Sequence, residues 1–66
     1  MPMTIRKQLL RSADSSLAAL IRLDQNLMKM DLLAAGRQPA IDEYKEILVE
    51  GHEQLRALWT GLKSRL

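Results

Sequence analysis

From Ile41 to Leu62 the chain sets Ile41, Tyr44, Leu48, Gly51, Leu55, Leu58 and Leu62 at alternating steps of three and four. At about 100° per residue this spacing puts all of them on one narrow stripe of an α-helix, the kind of seam by which helices pack. A seam needs a partner, and a chain of 66 residues has space for only one other long helix. The expected fold is therefore all-α.

Punctuation falls at Gly36-Arg37-Gln38-Pro39. Glycine just past one helix and proline at the opening of the next is the order expected between two helices. The sequence predicts a first helix over about 4–35, a turn at 36–38 and a second helix over about 39–65, in one hairpin domain spanning 1–66. So short a connection makes the helices antiparallel neighbours. Gln38 is an imperfect cap; Asp42 and Glu43 suit the positive end of the second helix dipole, and Arg56, Lys63 and Arg65 its negative end. The first helix has a broader apolar side made of Ile5, Leu9, Ala13, Leu17, Leu20, Leu23, Leu27, Met30 and Ala34, flanked by Leu10, Ile21 and Met28. Its weakest stretch is Ser12-Ala13-Asp14-Ser15-Ser16, where short polar side chains compete for their own backbone. A break there would detach residues 4–11 as an arm.

Two helices cannot hide this much apolar surface from water by themselves, and a flank including Leu10, Ile21, Met28, Ile47 and Trp59 is left wet. Pairing two hairpins into a four-helix bundle covers it. Arg6, Lys7, Arg11, Arg56, Lys63 and Arg65 gather at the open end, whereas Asp24, Asp31, Asp42, Glu43, Glu46 and Glu50 lie toward the loop. Head-to-tail pairing brings these opposite charges together and satisfies two-fold symmetry, so the expected assembly is a homodimer of that kind.

Composition narrows the chemistry. The chain has no cysteine and one histidine, which removes a disulfide framework and the usual nitrogen and sulfur zinc sites. The absence of cysteine fits a reducing cytoplasm. The apolar fraction is 47% without a phenylalanine, a core of Leu, Ile, Met and Ala suited to helical bundles. A formal charge of +2 is too small to argue for nucleic acid. No apolar run approaches the roughly 18 residues of a membrane span, and the start Met1-Pro2-Met3-Thr4-Ile5-Arg6-Lys7 is unlike a signal peptide. A cytoplasmic location without membrane attachment is expected.

Several residues invite a chemical reading. His52 has Leu48, Val49, Leu55 and Arg56 one helical turn away, none of them an anionic or imidazole ligand, so it reads as a histidine at the border of the seam near Trp59 that can modulate association with pH. Gly51, on the stripe, costs about 1 kcal/mol relative to alanine, and close approach of another chain element explains it better than a hinge does. Trp59, at the seam's edge, is the first choice of intermolecular anchor. Together with Leu17, Leu20, Leu27, Ile41, Tyr44, Leu48, Leu55, Leu58 and Leu62, these two residues make up the expected packing and dimer interface. Lys7, Arg11, Arg22 and Lys29 form a basic row opposite the apolar side, which suits solvent, a partner or a phosphate backbone. Asp24 and Asp31 project toward the apolar flank and suit an Arg or Lys across an interface. No phosphate loop, metal-ligand cluster or nucleophile beside a base is present, so neither enzymatic activity nor a cofactor is expected.

In length, single central turn and helical periodicity the chain resembles two kinds of small bacterial protein. One is the Rop type of plasmid copy-number regulator, a hairpin dimer that binds RNA; the other is the group of two-helix co-chaperones that hold type III secretion needle subunits. The resemblance implies a hairpin that pairs or clasps another helix, and carries no site residue with it. Three functional readings follow. The first is a small regulator, inhibitor, adaptor or co-chaperone that binds a larger protein through its apolar face. The alternatives are an RNA-binding dimer using the basic row and a structural subunit of a larger helical assembly.

Overall fold

The computed structural model describes residues 4–66. It contains two helices, α1 over Ile5–Ala34 and α2 over Pro39–Ser64, folded back on each other as a hairpin. At about 1.5 Å per residue they run roughly 45 and 39 Å, and the hairpin measures 54 × 21 × 11 Å.

Both ends of α1 are closed by local chemistry. Thr4 lies in extended backbone and its Oγ1 accepts the Lys7 N–H at 3.2 Å, satisfying one of the otherwise orphaned first-turn donors. At the other end Ala35 (φ 48°) and Gly36 (φ 75°) both take the left-handed conformation that reverses the chain. The Ala35 N–H donates to the Asp31 carbonyl at 3.1 Å and the Arg37 N–H to the Ala34 carbonyl at 2.8 Å. Left-handed backbone thus begins one residue before the glycine. Gln38 caps α2 without a side-chain bond, Pro39 occupies the first turn where its missing N–H costs nothing, and Asp42 faces the dipole there.

The break considered at 12–16 does not occur, and α1 runs through it unbroken. The Ser16 hydroxyl donates to the Ser12 carbonyl at 3.1 Å, so its polar group is satisfied inside the helix. Ala13, in the same stretch, is pressed against the second helix and is the most buried residue described.

The contact line of α1 is a heptad stripe. Among the described residues only Ala13, Leu20 and Leu27 are buried, none more than 7% exposed, and they are spaced seven apart. Leu10, Leu17, Asp24, Asp31 and Ala34 are half-buried and fill the steps between them. No residue of α2 is fully buried. Its half-buried residues Ile41, Lys45, His52, Arg56 and Trp59 mark the line that meets α1, and Gly51, also half-buried, lies off it.

This line corrects the expected seam. Ile41 lies on it, but Gly51 faces open space and Tyr44, Leu48, Leu55, Leu58 and Leu62 are exposed within the hairpin. Relative to the sequence expectation, α2 is turned by about 80° on its axis, at ~100° per residue. The reason lies on α1, where Asp24 and Asp31 occupy seam positions. The observed rotation brings Arg56, His52 and Lys45 to those carboxylates, whereas the expected one would have set them against leucine.

Candidate interaction surface

The polar part of the hairpin seam is a ladder. Asp24 accepts from His52 Nδ1–H at 2.8 Å and pairs with the Arg56 guanidinium; Asp31 accepts from Lys45 Nζ at 3.2 Å. Asp14 pairs with Lys63 at 2.6 Å, and Arg6 Nε–H donates to the Leu66 carbonyl at 2.6 Å. The step from Asp31 to Asp24 is matched by the step from Lys45 to His52, so a slip of either helix along the other would break both pairs. Ion pairs this open to solvent add little stability, but charged groups placed at seam positions select one register over its neighbours.

Asp24 and Asp31 thus find their cations inside the hairpin. Arg56 and Lys63, expected to serve a second hairpin from the open end, are engaged there too. The His52–Asp24 contact is not legible from α2 alone, where His52 has no anionic neighbour one turn away. The available signal was the α1 heptad Leu10, Ala13, Leu17, Leu20, Asp24, Leu27, Asp31, Ala34, whose acidic steps call for cationic or imidazole partners seven apart on an antiparallel helix.

The hydrogen bond from His52, assisted by the Arg56 guanidinium, holds the Asp24 carboxyl below the usual carboxylate range, against the opposing effect of desolvation. A carboxyl with a lowered folded pKa stabilises the fold fully above its unfolded value, near 3.9, and loses that contribution as pH falls through the folded value. The melting temperature of wild type should therefore fall on the acid side more steeply than that of Asp24→Asn. Thermal melts followed by circular dichroism between pH 2 and 7 measure this, and parallel acid limbs would remove Asp24 from the account.

Around this ladder the two sides of the hairpin differ. On one, Leu27, Met28, Val49 and Glu53 join the Asp24–Arg56 and Asp31–Lys45 pairs to line a cleft of about 260 Å³. Residues on the other side of each contact line share the opposite face. There α1 presents Leu9, Leu23 and Met30, and α2 presents Tyr44, Leu48, Leu55, Leu58 and Leu62, all exposed. Leu58 is 70% exposed and Ile47, at the margin, 62%. Gly51 lies in this face and Gly61 at its edge; a Cβ added to either would meet nothing within 4 Å. The close approach expected at Gly51 therefore does not come from within the hairpin.

The remaining candidates separate cleanly. Leu20 and Leu27 are buried and Leu17 half-buried at the contact line, while Trp59 is half-buried beside them and spends much of its surface on α1. Lys7, Arg11, Arg22 and Lys29 are exposed on the rear of α1 and form no ion pair among the described residues. Among the described residues, no three His, Cys, Asp or Glu side chains are grouped to hold a metal, and no helix is long and apolar enough to cross a membrane. No protein-family model matches the chain, and no curated protein or solved structure is detectably similar to it.

Proposed function

We propose that this chain is a non-enzymatic protein-interaction module, a small regulator, adaptor or co-chaperone, that works by burying the face carrying Leu48, Leu55, Leu58 and Leu62 against another helical surface. The observation that carries the reading is the contrast between the two stripes of α2. The stripe of large apolar residues is exposed, and the stripe turned inward is half polar. A contiguous exposed apolar face of this kind marks an interaction site, and among the described residues neither helix covers it. In the resting form two hairpins pair head to tail as a four-helix bundle; a larger partner then docks on the outside or replaces one hairpin. The cytoplasm, where the absence of cysteine carries no penalty, is the proposed location.

Leu58→Glu provides the test. Because Leu58 is 70% exposed, the change leaves the hairpin's own contacts in place while charging the face. A tagged chain expressed in its native host should retain a specific protein in fixed stoichiometry. Leu58→Glu should release at least about 90% of it, a shift of ~1.4 kcal/mol or more, with the helical circular dichroism of the variant unchanged. Charge reversal of Lys7, Arg11, Arg22 and Lys29 should have no such effect. Retention on RNA that weakens steeply with salt and disappears on that charge reversal would replace this reading with the nucleic-acid one.

A further inference from the structure

We propose that the occupant of this face is a second copy of the chain, with α2 lying antiparallel on α2 in one register, so that Leu55 of each copy fills the gap left by Gly51 of the other. The inference rests on the reading of the apolar face as an interaction surface between paired hairpins and adds which helices meet and in what register.

The stripe on α2 has the same spacing in both directions about position 53. An antiparallel second copy then meets it in layers, Tyr44 on the other copy's Leu62, Leu48 on its Leu58 and Gly51 on its Leu55. A shift of one heptad leaves Leu62 uncovered in one direction, and Tyr44 and Leu48 in the other. The same register sets Ile47, at the margin of the face, across from the other copy's Gly61. Both glycines weaken the helix they sit in, and the hairpin makes no use of either, since each opens onto empty space. A large side chain arriving from outside gives both of them a purpose.

Four further observations agree with this arrangement. The stripe lies about 80° around α2 from the line that meets α1, near the quarter turn that separates a helix's two neighbours in a four-helix bundle. Arg56 and Lys63 are taken up by Asp24 and Asp14 within the hairpin, but Arg65 and Glu43 lie at opposite ends of α2 on the outer side of the stripe, so antiparallel overlap sets Arg65 beside Glu43 of the other copy, whereas parallel overlap stacks like on like. The hairpin's own register, with Asp24 opposite His52, carries the dyad across to Leu23 of α1. There Leu23 meets itself, and Met30 meets the smaller Ser16 of the other copy. The broad face of the hairpin, 54 × 21 Å, is large enough for the ~800 Å² per partner of a standard interface.

Exchanging the two residues tests the register. Gly51→Leu places leucine against leucine at two symmetric points and should weaken self-association about 30-fold or more in sedimentation equilibrium. Leu55→Gly leaves gaps at the same points and should weaken it comparably. The double variant Gly51→Leu/Leu55→Gly restores one leucine and one glycine to each layer with roles exchanged, and should return to within about 5-fold of wild type. Circular dichroism on each variant checks that the helices are intact; Gly51→Leu should raise helicity, because the added side chain has open space around it. A dimeric wild type in which Gly51→Leu is neutral, or in which the double variant stays weak, overturns the register. A wild type that is monomeric at ~100 µM overturns the second copy as occupant; if that monomer still retains a host protein through Leu58, the interaction-module reading stands without it.

Discussion

Leu20→Ala should lower the melting temperature by about 10–25 °C, the largest stability effect expected from a single truncation in this chain. Leu20 is 4% exposed at the centre of α1, between Ala13 and Leu27, and these three are the only fully buried residues described. Removing a buried leucine to its Cβ costs about 2–5 kcal/mol, because the transfer term is lost and the neighbours close the gap only in part. A chain of 66 residues has a total stability of roughly 3–10 kcal/mol at ordinary values per residue. The truncation therefore removes a large fraction of it. Leu32→Ala is the matched control, since Leu32 is 78% exposed and its loss should stay within about 0.5 kcal/mol. A drop below ~4 °C for Leu20→Ala would show that the hairpin seam is not where the stability resides.

Ala13→Leu attacks the same seam from the opposite direction. Ala13 is 1% exposed, so three added carbons have no space unless the helices separate. Overpacking of this kind costs about 1–3 kcal/mol. Its position tells where the damage appears. Ala13 lies toward the open end, beside the Asp14–Lys63 pair and the bond from Arg6 to the Leu66 carbonyl, so the wedge should open that end first. Hydrogen exchange should then accelerate over residues 5–14 and 59–64 while Leu27 and its neighbours stay protected. Uniform acceleration along both helices would mean that the hairpin opens as a unit.

Much of the architecture is legible in the sequence. The helices, the reversal near Gly36 and Pro39 at the start of α2 follow from periodicity and from two residues with restricted or permissive backbones. The limits are as specific. Ala35, not Gly36, opens the reversal, because the αL position is chosen by where the last helical bond to Asp31 closes and not by residue preference. The continuity of α1 through Ser12–Ser16 depends on Ala13 being packed, a tertiary term that local propensity does not contain.

The exposed apolar face illustrates the same division. Which residues of α2 share a stripe follows from spacing alone, and so does the excess of apolar surface over what two helices can bury. Periodicity sets the angles among residues on one helix, because the backbone repeats every 3.6 residues. It says nothing of which stripe turns toward the neighbour. That phase was settled across the hairpin, where Asp24 and Asp31 required His52, Arg56 and Lys45, residues well removed along the chain. With the leucine stripe turned inward, Asp24 and Asp31 would face leucine without their cations; the observed phase gives them Lys45, His52 and Arg56, and so the best apolar stripe faces outward.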